Sequence, residues 1–156
     1  MSRADVLYVV RHAKAGERRL WQDDDALRPL SKHGWRQAEA IAERLTRKGA
    51  GALYSSPYLR CTQTLEPLAA RLGTTIVEDD RLAEMQPFEG MLDLVGEVTD
   101  SAVLCSHGDL IPETIEAFVR RGMQLQGPPD WRKATVWVLT RKGERITKGK
   151  VWPPPA

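Results

Sequence analysis

The 156-residue sequence has two cysteines, a net charge of only +2 and no long apolar run. Each shortage removes a class of protein. Cys61 and Cys105 cannot make a disulfide framework, so a reducing cytoplasm is the expected compartment. The small net charge gives no ground for a nucleic-acid or membrane-surface partner. Val6–Val10 and Ala102–Cys105, the most apolar stretches, are far too short to span a bilayer. The first five residues run straight into a strand-like segment without the form of a signal peptide. No internal repeat is visible. Metal chemistry finds no His-x-His, His-Glu-x-x-His or paired Cys-x-x-Cys, and neither a Gly-x-x-x-x-Gly-Lys loop nor a Gly-x-Ser-x-Gly elbow is present. A cysteine phosphatase is excluded as well, because Pro67 and Ile111 stand where its phosphate-binding arginine would follow Cys61 and Cys105. No cofactor and no metal are expected, and both cysteines read as small packing residues.

What is present is an alternation of strand and helix patterns. Val6–Val10 reads as a strand buried on both faces. Ser31 reads as the N-cap of a helix to about Lys48, with Ala38, Ile41, Ala42 and Leu45 at helical spacing. A strand at 52–55, a helix opening at Pro57 and running to about Leu72, and a strand at 74–77 follow. A short helix within 88–98, a strand at 102–105, a helix at 110–120 and a hairpin of 134–140 with 145–148 complete the pattern. This predicts an α/β three-layer sandwich whose central sheet, mainly parallel, is flanked by helices. Residues 1–150 are read as one domain, and 151–156, with three consecutive prolines, as an extended tail.

Ligands of such sheets sit beyond the carboxyl ends of the strands. Those ends carry Arg11-His12, Arg60, Glu84 and Ser106-His107-Gly108-Asp109. Two guanidiniums match phosphate oxygens, a neutral imidazole can attack phosphorus, and a carboxyl can protonate the departing oxygen. The convergence predicts phosphate chemistry.

The motifs extend the match. Arg11-His12-Ala13, the Pro29-Leu30…Gly34…Gln37-Ala38 stretch, Ser55-Ser56-Pro57-Tyr58-Leu59-Arg60 and Ser106-His107-Gly108 resemble, in order, the signatures of the histidine phosphatase (phosphoglycerate mutase-like) superfamily. The resemblance implies that His12 is a nucleophile forming a phosphohistidine. It implies a phosphate pocket of Arg11, Arg60 and His107 with the Gly108 amide, and Glu84 as proton donor. Asp109 is a competing acid, and Glu84 is preferred because its flanking residues match. Ala13 replaces the usual glycine, which matters if the backbone there needs positive φ.

Only residues 85–101 separate Glu84 from the next strand, which leaves no room for a helical cap. That is similar to the small SixA-like phosphohistidine phosphatases, and other motifs resemble the phosphatase half of Nudix (MutT-type) fusion hydrolases. The expected partner is therefore a phosphorylated protein or a small phosphoester. A nucleotide polyphosphate phosphatase, a sugar-acid mutase and a non-catalytic phosphate-recognition module are the alternatives. Lys14, Arg18 and Arg19 read either as a solvated basic loop or as contacts to further phosphates. His33 reads as a surface or structural residue, and Trp21 is expected at the site's mouth. The oligomeric state stays open.

Overall fold

A computed structural model describes residues 3–156. β1 (Asp5–Arg11) lies at the middle of a seven-stranded sheet of order β3-β2-β4-β1-β6-β7-β5. The first four form the parallel half: β3 (Ile76–Glu78), β2 (Leu53–Ser55), β4 (Val103–Ser106) and β1. β6 (Val136–Lys142) pairs antiparallel with β1 and with β7 (Arg145–Trp152). β5 (Gln124–Leu125) joins β7 in parallel at the edge.

Strand alternation divides β1 between two cores. Leu7 and Val9 face one, with α3 (Phe88–Glu97) and α4 (Leu110–Arg120) over them. Tyr8 and Val10 face the other, covered by α1 (Lys32–Arg47) and α2 (Leu59–Leu72). Apolar residues on both faces explain why β1 reads as an unbroken hydrophobic run. Ala38, Ile41, Ala42 and Leu45 are all buried on α1, as their spacing requires. Ser31 caps that helix by accepting the Gly34 N–H at 3.1 Å. The predicted three-layer α/β sandwich is thus observed, and between Glu84 and β4 the chain spends its length on α3, which packs against α4.

Several boundaries differ from expectation. α2 begins at Leu59, two residues beyond Pro57, because the Ser56 hydroxyl holds the Tyr58 N–H at 3.2 Å and keeps 56–58 in a turn. β3 starts at Ile76, since Thr74 N–H still closes α2 on Ala69 O after the left-handed Gly73. β5 had no sequence signal. The largest difference lies at the C-terminal end. β7 continues past residue 150, with Val151 opposite Trp137 and Trp152 opposite Val136. Trp152 is buried in the α1/α2 core against Tyr8, with the Arg44 guanidinium 3.6 Å over its ring. The Pro-rich tail is therefore 153–156, with Pro154 and Pro155 half-buried on the surface.

No helix among the described residues is long and apolar enough to cross a membrane.

Candidate active site

The sheet register brings the two histidines together. Arg11 pairs with Ser106 across β1 and β4, so the next residue of each strand, His12 and His107, leaves the sheet at the same level. His12 N–H donates to Ser106 O at 3.1 Å, and the two rings stand edge to face with centroids 5.4 Å apart. They line a cavity of about 330 Å³ together with Arg11, Arg60, Glu84 and Gly108. Every candidate residue thus reaches one cavity.

His12 is buried, and its Nδ1 lies 2.8 Å from Ala13 O. A carbonyl only accepts, so Nδ1 carries the hydrogen and the Nε2 lone pair is left available. Burial holds the imidazole well below its ordinary pKa. The Ala13 hydrogen bond opposes that shift, while the charges of His107, Arg60 and Arg11 add to it. The ring is therefore neutral at neutral pH.

Ala13 does not need glycine's freedom. It is absent from the positive-φ residues among those described, and its methyl group is buried in the α1/α2 core. Its N–H donates to Thr64 Oγ1 at 2.9 Å, and that hydroxyl donates to Arg60 O at 2.7 Å. One threonine thus ties the His12 loop to the first turn of α2.

Arg60 is 1% exposed and closely held. Its Nη1 donates to Asp25 O at 2.9 Å, and its Nη2 donates to Asp25 Oδ2 and Glu84 Oε2, both at 3.1 Å. Arg28, also buried, fixes the other oxygen of Asp25 at 2.9 Å. Arg11 Nη1 donates to Trp131 O. Its guanidinium lies so close over Gly108 that a Cβ there would stand 2.6 Å from Arg11 Cζ. His107 Nε2 lies 2.8 Å from Ser56 Oγ and 3.6 Å from Cys61 Sγ.

Among the described residues four buried side-chain nitrogens have no partner, and three of them belong to residues that line this cavity: Arg11 Nε, Arg60 Nε and His107 Nδ1. Buried donors rarely go unsatisfied. The cavity lining is rich in guanidinium and imidazole groups, and an oxyanion with several acceptor oxygens is the ligand that such a lining fits.

The two carboxylates differ in what they do. Glu84 faces Arg60 and, at 3.4 Å, Arg18. Asp109 accepts the Met85 N–H at 2.7 Å and so braces the turn that follows Glu84, where Met85 is strained at φ 69°. No cluster of three His, Cys, Asp or Glu side chains suited to a metal occurs among the described residues.

The sequence profile of the histidine phosphatase superfamily (branch 1) matches residues 7–97. The chain belongs to the histidine phosphatase superfamily. It is 35% identical over 154 residues to the 8-oxo-(d)GTP phosphatase of Mycolicibacterium smegmatis, covering 94% of this chain and 48% of that protein. The chain thus spans about half the length of that relative. Among solved structures, a protein of Agrobacterium tumefaciens named for the phosphohistidine phosphatase SixA superposes with a TM-score of 0.69 at 26% identity, over 88% of this chain and 94% of that one. A protein histidine phosphatase SixA complexed with tungstate gives a TM-score of 0.72 at 19% identity, over 97% and 96% of the two chains, which shows the shared fold.

Within this member of the superfamily, sequence reasoning gave no role to Asp25 and missed Lys133, which lies in a loop with no pattern. Ser56, though part of the Ser55–Arg60 motif, and Thr64 had no role assigned from the sequence, because a hydroxyl's role depends on which neighbour it meets. Lys14 and Arg18 line the cavity, whereas Arg19 turns to Glu17 at 2.8 Å. Trp21 is not at the mouth as expected. It lines a neighbouring pocket with Leu20, Pro29 and Leu30, its indole N–H donating to Asp24 O at 2.8 Å.

Proposed function

We propose that this chain is a phosphatase that hydrolyses an accessible phosphoester or protein phosphohistidine through a phosphohistidine on His12 Nε2. The observation that carries the reading is the Nδ1–Ala13 hydrogen bond, which leaves Nε2 available, in a cavity lined by Arg11, Arg60 and His107. The substrate phosphoryl sits among Arg11, Arg60 and His107, with the Gly108 amide at hand. His12 Nε2 attacks phosphorus in line with the leaving atom, an ester oxygen or the imidazole nitrogen of a phosphohistidine, and Glu84 gives that atom its proton as its bond to phosphorus breaks. Glu84 then takes a proton from water as the water oxygen attacks phosphorus, which releases phosphate and restores both groups. Two guanidiniums set positive charge against the negative charge on the transferring oxygens, and the His107 ring stands beside them, the kind of electrostatic stabilisation that dominates phosphoryl transfer. No step calls for a metal ion, so turnover is expected to persist in chelator. Asp109 serves here as a brace for the Glu84 turn.

The likeness to an 8-oxo-(d)GTP phosphatase favours a second reading, a nucleotide polyphosphate as substrate. A binding module without turnover loses its main support, since Ala13 adopts no conformation that glycine alone permits.

The test is acid-quench trapping of protein incubated with a labelled phosphomonoester. Wild type should carry an acid-labile label that His12→Ala lacks; label in that variant would remove the nucleophile assignment. Glu84→Gln should lose turnover far more than Asp109→Asn.

A further inference from the structure

A second groove, of about 520 Å³, opens beside the His12 cavity and shares Arg11, Lys14 and Lys133 with it. Beyond that shared wall it is lined by His33 from the first turn of α1, by Arg132, and by Pro154 of the C-terminal segment. Its lining contains no Asp or Glu, whereas the His12 cavity includes Glu17, Glu84 and Asp109. Lys14 and Lys133 form no ion pair among the described residues, while Arg132 is held by Asp130 at 2.6 Å, which fixes its position at the rim. Burial lowers the Lys133 pKa, and the neighbouring charges of Arg11, Arg28, Arg60 and Lys14 add to the shift.

The charge has a direction as well as a sign. Arg11 borders both spaces, so an anion in the groove lies next to the phosphoryl that His12 would attack. A leaving group with no charge leaves Lys133 and Lys14 uncompensated. A leaving group that carries its own phosphate places that phosphate against them.

We propose that this groove is a second phosphate subsite, so that the preferred substrate carries another phosphate on its leaving group. The inference rests on the phosphatase reading above and adds to it the chemical class of the substrate. The second phosphate reaches the groove either as the adjoining phosphate of a phosphoanhydride or as a separate ester on a short linker.

Inhibition of p-nitrophenyl phosphate hydrolysis tests the proposal. Inorganic pyrophosphate should bind on the order of tenfold tighter than inorganic phosphate. That ratio should collapse towards one in Lys133→Gln and shrink in Arg132→Gln, and it should fall as salt is raised. Equal affinities in wild type, or a ratio unchanged in both variants, would overturn the subsite. Comparing kcat/KM for ADP and for a short diol bisphosphate then separates the two sources. A preference for either over p-nitrophenyl phosphate that Lys133→Gln removes supports the subsite, and the better substrate identifies the linkage. Failure of wild type to form phospho-His12 from p-nitrophenyl phosphate would instead bring down the underlying reading. Phospho-His12 formed with equal pyrophosphate and phosphate affinities would bring down the subsite alone.

Discussion

At the scale of single residues, the chemistry depends on which atoms are already engaged. His12 spends Nδ1 on Ala13 O and keeps Nε2. Its depressed pKa has a consequence for stability. As pH falls through the ordinary histidine value of about 6.5, the unfolded chain takes up a proton that buried His12 refuses. Stability from this group is therefore full above about pH 6.5 and declines below it, by at most about 1.4 kcal/mol per pH unit. Urea unfolding at pH 7.5 and 5.5 should show a smaller pH dependence in His12→Asn than in wild type. For the same reason, phosphoenzyme formation should not fall off through pH 6.5 for lack of neutral imidazole. Thr64 is the other telling residue. Thr64→Val leaves the buried Ala13 N–H without an acceptor, which should cost about 1–3 kcal/mol and lower kcat/KM by freeing the His12 loop. A variant with wild-type kinetics would show that the tether is dispensable.

At the scale of elements, close approach explains motifs that spacing alone leaves unexplained. α1 meets the 13–16 loop so tightly that a Cβ on Gly34 would stand 1.9 Å from Lys14 O, backbone that cannot step aside. From the same helix, Gln37 accepts the Lys14 N–H at 3.0 Å, and Ser31 N–H donates to Lys14 O at 2.9 Å. Ser31, Gly34 and Gln37 thus form one clamp on the loop that carries His12. Gly34→Ala should cost about 1–3 kcal/mol or more by overpacking and reduce activity. Gly96→Ala on α3, where nothing lies within 4 Å, should be neutral or stabilise by about 0.4–1 kcal/mol. Thermal denaturation of the pair checks both signs. The boundaries that the sequence misplaced, at Pro57, Thr74 and Lys148, were settled by one hydroxyl, one helix cap and one tryptophan. None of these has a periodic signal.

At the scale of the whole molecule, β7 closes the sheet and carries Trp152 into the core. Trp152→Ala should destabilise by about 3–5 kcal/mol, whereas removing 153–156 should cost much less, and chemical denaturation of the two variants distinguishes them. The alternation of strands and helices was legible from residue 6 to 120 because buried runs and amphipathic periods are local properties of the chain. The four strand-end positions were legible for the same reason, and the family motifs followed from them. The roles of Asp25, Ser56 and Thr64 were not, since each acts through a partner distant in sequence: Asp25 with Arg60, Ser56 with His107, Thr64 with Ala13. By itself, then, the sequence determined the α/β alternation and the residues that meet at the sheet's rim. Only the tertiary structure decided which nitrogen of His12 is left available, which carboxylate faces Arg60, and that a second cationic groove adjoins the first. Those depend on hydrogen bonds and uncompensated charge between segments that only folding brings together.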